Sequence, residues 1–430
     1  MTRPTRAVGY RAVLRLPGVL RVFPAAVLGR LSYATMPLSL LLVVDRATGS
    51  FAVTGTAVGS YAVLSLSMPV KSRGIDRFGQ RRVLPPLSAG FATALVAMAA
   101  AASADVRAPA VYVALCAAAG LAAPPLGSSM RALWAALTPE PTARQRAYSV
   151  DGVVEETLFA VGPLVVAALV AVSGALAALL LSAALNLVGT VLMVTSPIVT
   201  AYGPSGRQLG RSRRSRWLRG PPGLPRSARA SWWGPFGSRG FGLLVGALLG
   251  VGLGAGPLEV AVVARAQAAG RPGAAGYLFA GLSISSVAGG LLWGRLSHRR
   301  AVAVQVGLLV AVMAAGQAAA ALVVGLPLLA VVLVLAGSAG SPVFIASYLA
   351  VDDLVSPSNR TEASTWVNTA YNVGLAGGAA AAGVAIDRVG ADAALLGGAV
   401  VLAATAVVLV ASGARLDATP GRTDDPPARG

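Results

Sequence analysis

Ionisable side chains are rare in the apolar stretches of this chain, so each one found there is a candidate for chemistry. Glu155 and Glu156 follow Asp151 at the start of one such stretch. At about 1.5 Å of rise per residue, a helix would carry them roughly a quarter of the way across a bilayer. Neighbouring residues differ by about 100° around a helix, so one acid faces a cavity while the other packs against an adjacent helix. Burial disfavours the charged form of a carboxylate, and that property suits a carrier of protons or a binder of cations. The structural alternative is a fixed ion pair. Arg30 lies too deep in an apolar run to reach water and needs an anionic partner.

A second constellation is the charged run Lys71-Ser72-Arg73-Gly74-Ile75-Asp76-Arg77-Phe78-Gly79-Gln80-Arg81-Arg82 between two apolar stretches. Its one carboxylate, Asp76, can cap the N-terminus of a neighbouring helix, while Arg77 can pair with an acid or carbonyl. Arg81 and Arg82 can equally serve to fix which side of a membrane the turn faces. Further polar groups stand out against Gly and Ala. Tyr33 and Glu259 occupy apolar runs, and Asn368 and Asn372 fall on one helical face with Thr365, beside Tyr371. Such a face either lines a cavity or bonds across helices. Gly162-Pro163 bends a helix, because Pro removes a backbone donor and Gly permits close approach.

The elements that must position these groups are membrane helices. Of the 430 residues, 56% are hydrophobic and 12% charged, with a mean hydropathy of +0.72. No soluble core of this length accommodates so much apolar surface. A spanning helix needs about 20 apolar residues. Twelve such stretches are expected, near 21–44, 52–70, 83–103, 109–130, 150–171, 176–196, 241–263, 275–295, 302–323, 327–349, 366–386 and 393–412. The predicted class is an all-α membrane protein of twelve transmembrane helices in two six-helix halves, residues 1–200 and 241–413. A basic linker, 201–240, joins the halves and a short tail, 414–430, follows them.

The formal charge of +19 invites a nucleic-acid reading, and its distribution argues against one. Of 35 Lys and Arg residues, 29 fall in the tails, the linker and the turns on one side. Five (Arg46, Arg107, Arg265, Arg271 and Arg388) fall on the other, and Arg30 lies within a span. This positive-inside asymmetry places both termini in the cytoplasm. The linker arginines from Arg207 to Arg229 suit anionic lipid head groups, and Trp232, Trp233 and Phe236 suit a return to the membrane interface. The lone Cys116 excludes a disulfide framework, His298 has no companion ligands for a metal, and no Walker sequence points to ATP. No cofactor and no catalytic set is expected.

The halves repeat. Pro37-Leu38-Ser39 running to Arg46 matches Pro257-Leu258-Glu259 running to Arg265, and Arg77 with Arg81-Arg82 matches Arg295 with Arg299-Arg300. Pro125 pairs with Pro342, and Val161-Gly162 with Val373-Gly374, all in order at nearly constant offset. Parallel repeats of this kind place a binding cavity at the interface of the halves, opened alternately to each side. In the second copy Gly294 stands where the first has Asp76, so only one hairpin carries an acid.

The run Asp76-Arg77-Phe78-Gly79-Gln80-Arg81-Arg82 resembles the loop motif of the major facilitator superfamily. The resemblance extends over the twelve spans, the linker and the weaker echo in the second half. It departs at Ser72, where the family usually has Gly. It implies a secondary transporter in which Asp76, Arg77, Gly79, Arg81 and Arg82 hold a cytoplasmic gate. It also implies that the first and fifth spans are neighbours, which makes Glu155 or Glu156 the expected partner of Arg30. Gly162-Pro163 resembles the core of the fifth-span motif of the superfamily's antiporters, although Val165 and Val166 stand where small glycines belong. The expectation is proton-coupled export of small apolar or cationic compounds across the cell membrane. Proton symport or facilitated uptake of a nutrient is the alternative within transport, and a non-transporting sensor or assembly protein the alternative outside it.

Overall fold

The computed structural model describes residues 9–201, 234–271, 274–296 and 301–412. The expected linker, the C-terminal tail and the second-half hairpin residues His298, Arg299 and Arg300 lie outside the described residues, apart from the linker's two ends. The described residues are helical, with no strand among them, and twelve helices are long and apolar enough to cross a membrane. The protein is a multi-pass membrane protein.

Spans 1 to 6 are Val19–Thr48, Val53–Phe78, Gln80–Ser103, Pro109–Leu137, Pro141–Ser173 and Ala175–Val194. Spans 7 to 12 are Arg239–Ala268, Ala274–Trp293, Val302–Leu322, Leu326–Leu354, Pro357–Val389 and Ala391–Ala411. Several outrun the apolar windows read from sequence. Span 4 continues past residue 130 to Leu137, span 5 begins at Pro141, and span 10 runs on to Leu354. The reason is physical: an apolar window stops at a charge, whereas a helix continues wherever that charge finds a partner.

Some spans are broken part-way along their length. Span 4 is two helices, Pro109–Ala122 and Leu126–Leu137, separated at Pro124 and Pro125, where backbone donors are missing. Span 10 is similarly divided into Leu326–Gly337 and Gly340–Leu354. Span 1 and span 7 instead run unbroken through Pro37 and Pro257, the residues that the repeat pairs.

The repeat in sequence is a repeat in packing. Span 6 lies against spans 1 and 3 as span 12 lies against spans 7 and 9. Span 4 lies against spans 2 and 3 as span 10 lies against spans 8 and 9. Small residues bring these backbones together. A Cβ on Gly162 in span 5 would stand 2.5 Å from the Cβ of Ala34 in span 1. In the second half, Gly374 and Gly378 of span 11 meet Gly252 and Gly256 of span 7 across one shared seam. The glycine-rich face of span 11 is therefore spent within its own half rather than between the halves.

The two halves are bonded chiefly at one end, that of the charged hairpin. There the lower helix of span 2, Met68–Phe78, packs on span 11, and span 5 packs on spans 8 and 10. The outer helix of span 2, Phe51–Ser65, packs on spans 1 and 4 of its own half.

Candidate functional site

The deepest charged cluster joins spans 1, 4 and 5. Arg30 Nη1 contacts Asp151 Oδ1 at 2.7 Å, and Nη2 lies 3.0 Å from Glu155 Oε2. Arg131 Nη1 reaches both acids, at 3.3 Å to Asp151 Oδ2 and 3.1 Å to Glu155 Oε2. Asp151 and Glu155 are one helical turn apart, so both present the same face to the two arginines. Arg30, Arg131 and Asp151 are at most 3% exposed, whereas the Glu155 side chain is 30% exposed. Two cations and two anions balance, which is what makes such burial tolerable. Glu155 is the one member of the four that solvent can reach.

The cluster is not confined to the first half. The Arg131 guanidinium lies 4.1 Å from the ring centroid of Tyr348 in span 10. The Tyr348 hydroxyl donates to Asn368 Oδ1 of span 11 at 2.6 Å. A continuous path of polar contacts thus runs from Glu155 through Arg131 and Tyr348 to Asn368.

Glu156 points the other way. Its Oε1 accepts from the Ser286 hydroxyl of span 8 at 3.3 Å. It lines a cavity of ≈ 270 Å³ whose remaining walls come from the second half, among them Glu259, Phe279, Phe344 and Tyr371. Glu259 and Phe279 also border an adjoining open groove, so that pair separates the inner space from the outer one. The cavity lining holds two carboxylates and neither Arg nor Lys. Of the other sequence candidates, Tyr33 donates its hydroxyl to the Pro124 carbonyl at the break in span 4. Asn372 is exposed on span 11, and neither it nor Asn368 borders this cavity. Gly162 and Pro163 lie in an unbroken helix, with Gly162 pressed against Ala34.

The hairpin end is closed by bonds across the halves. Asp76 accepts from the backbone N–H of Thr361 at 3.2 Å and of Glu362 at 3.0 Å, where span 11 begins. Those donors have no partner within their own helix, and a carboxylate there meets the positive end of the helix dipole. Arg73 grips Glu362 with two bonds, Nε to Oε2 at 2.9 Å and Nη2 to Oε1 at 2.6 Å. Ser72 and Thr365 hydroxyls are 2.6 Å apart. The arginine that crosses to the other half is therefore Arg73. Arg77 is exposed over the ring of its neighbour Phe78, Arg81 and Arg82 are exposed, and Gly79 (φ 89°) turns the chain between spans 2 and 3.

The second junction uses opposite polarity. Gln145 of span 5 donates to the carbonyls of Trp293, at 2.6 Å, and Leu296, at 3.0 Å, where span 8 ends. A Cβ on Gly294 would collide with Ser149 and Tyr10, which leaves no space for the carboxylate that the first copy carries. Nearby, Asp352 accepts from the Tyr148 hydroxyl at 2.6 Å and lies 3.1 Å from Arg360 and 3.6 Å from Arg144.

Arg131, Asp352, Tyr148 and Tyr348 were not singled out from sequence, and Asp151 only as a flanking residue. Arg131 had a legible signal. Leu126, Met130, Leu133, Trp134 and Leu137 recur at helical spacing around it, so it belongs to a buried helix and not to a basic turn.

Two six-helix halves, joined at one end and enclosing a largely apolar cavity that holds two carboxylates, form a fold shared with solved membrane transporters. The human organic anion transporter MFSD10 superposes with a TM-score of 0.67 at 18% identity, over 91% of this chain and 99% of that one. The E. coli fucose:proton symporter gives 0.66 at 14%, over 90% and 98%. A bacterial homologue of the iron transporter ferroportin, in its outward-facing state, gives 0.66 at 13%, over 92% and 98%. The family model of the Major Facilitator Superfamily matches residues 253–430, the second half of the chain. No curated protein sequence matches the chain.

Proposed function

We propose that this chain is a Major Facilitator Superfamily secondary transporter that exports small apolar or cationic compounds in exchange for protons. The cell membrane is its site, with both termini, the hairpin and the linker on the cytoplasmic side, as the positive-inside asymmetry favours. The observation that carries the reading is the cavity between the halves, lined by Glu156 and Glu259 without a balancing cation and shut off at the hairpin end. At about 5 Å and an effective dielectric constant near 20, one carboxylate attracts a cation by roughly 3 kcal/mol and repels an anion equally. That sign favours cationic or neutral cargo, in contrast to the organic anion transporter of the same fold.

Glu155 and Glu156 take different parts. Glu156 meets cargo or a proton in the cavity. Glu155 is half of the charge that fixes Arg131, and Arg131 in turn stacks on Tyr348 of the other half. A proton on Glu155 removes one of two anions holding that guanidinium and so loosens a contact between the halves. Coupling requires only that proton and cargo each prefer a different arrangement of the halves.

The test is exchange in proteoliposomes under an imposed pH gradient. Cationic cargo should dissipate the gradient with the native chain and fail to do so with Glu155→Gln or Glu156→Gln. Undiminished exchange in both single variants and the double variant overturns the coupling. Faster loss of the proton gradient with anions than with cations overturns the cargo class.

A further inference from the structure

The end of the molecule opposite the hairpin carries few cations, and two of them, Arg46 and Arg107, have no carboxylate partner among the described residues. In the second half, Arg265 at the end of span 7 is held on all sides. Its Nε donates to Asp392 Oδ1 at 3.0 Å and its Nη2 to the Ala321 carbonyl of span 9 at 3.0 Å. Asp392 is the second residue of span 12, whose helix opens at Ala391 after Gly390.

The first half repeats the placement of the arginine without its bonds: among the described residues Arg46 has neither a carboxylate nor carbonyl partners of the kind that hold Arg265. Arg46 stands in the last turn of span 1, the position that the sequence repeat pairs with Arg265. Span 6 opens from Gly174 at φ 86°, ψ 169°, the same turn as Gly390 at φ 90°, ψ 167°. In that register the residue matching Asp392 is Leu176. No ion pair joins Arg46 or Arg107 to a carboxylate among the described residues. A cleft of ≈ 490 Å³ occupies the place, lined by Arg46, Arg107, Asp105, Gly174 and Leu176, among others. Two arginines against one aspartate leave a net charge of +1 on its walls, where the second-half pair of Arg265 and Asp392 sums to zero. The first turn of span 6 contains no acid, so its N–H groups add to the positive field.

We propose that this cleft binds an anionic oxygen group, a phosphate or carboxylate, which supplies from outside the charge that Asp392 supplies within the second half. Its place among the ends of spans 1, 3 and 6 is the level of lipid head groups, so the phosphate of an anionic lipid and a free anion are two sources of one chemistry. Ligand in the cleft ties span 1 to span 6 as Asp392 ties span 7 to span 12.

Thermal unfolding of the full chain tests this with two probes, inorganic phosphate and vesicles of phosphatidylglycerol against phosphatidylcholine. Binding to the folded state raises the midpoint with probe concentration. The native chain should respond to at least one probe, and Arg46→Gln and Arg107→Gln should each weaken the apparent affinity about tenfold or more. Leu176→Asp should raise the midpoint without probe and abolish the response, since the carboxylate is then built in. A response to phosphatidylglycerol alone assigns the lipid, and one to phosphate assigns the free anion. No response in the native chain, or a response unchanged in both arginine variants, overturns the proposal.

Discussion

At the scale of single residues, each deeply buried charge among the described residues has a partner of opposite sign, and Glu155 alone of the central four is open to solvent. Removing Arg131 would strand two carboxylates on Arg30 alone, and an uncompensated buried charge costs about 3–5 kcal/mol. Arg131→Ala should therefore lower the unfolding midpoint sharply, and adding Glu155→Ala should recover part of the loss. Equal midpoints for the single and double variants would show that the two residues do not interact. The same scale shows where sequence reading succeeded and where it stopped. Arg30 was visible as a cation in need of an acid, because an arginine in an apolar run can hardly exist otherwise. Its partners were less visible: Arg30 pairs with Asp151 and Glu155, one turn apart, and the adjacent Glu156 belongs to a different environment. Arg131 falls outside the apolar windows because a window ends at a charge, although the apolar residues at helical spacing on both sides of it mark a buried helix.

At the scale of helices, packing depends on where small residues meet. Gly162 touches span 1 so closely that a side chain there must push two backbones apart. Overpacking of that kind costs about 1–3 kcal/mol, so Gly162→Val should lower the thermal midpoint and the yield of monodisperse protein. Gly383 on span 11 has nothing near its missing Cβ. Gly383→Ala should raise stability by about 0.5–1 kcal/mol, through helix propensity alone. If both substitutions shift the midpoint in the same direction, close approach at Gly162 is not what holds spans 1 and 5 together. Composition announced that glycine would permit backbone contact. Which glycines do so, and with which helix, follows from the superposition of spans 7 and 11 and is absent from any local pattern.

At the scale of the whole molecule, two repeated halves are bonded by polar side chains that are not themselves repeated. Asp76 meets backbone donors at one junction, and Gln145 meets backbone acceptors at the other. If this end opens and closes during transport, a covalent tie across it must arrest the cycle. Ser72→Cys with Thr365→Cys, in a Cys116→Ala background, should form a disulfide on mild oxidation, since the native hydroxyls lie 2.6 Å apart. Transport should stop on oxidation and return on reduction, and transport unaffected by a complete cross-link would mean this junction stays shut throughout. By itself the sequence determined the membrane class, the number of spans, the twofold repeat and the special standing of Asp76. Hydropathy and charge asymmetry are local sums, and a chain entering a bilayer must satisfy them segment by segment. Only the tertiary structure decided which acid answers which arginine, that Glu155 and Glu156 part company, and that the hairpin end is the closed one. Those outcomes depend on side chains brought together from residues 30, 131, 151 and 348, and a pairing across such separations leaves no trace in local composition.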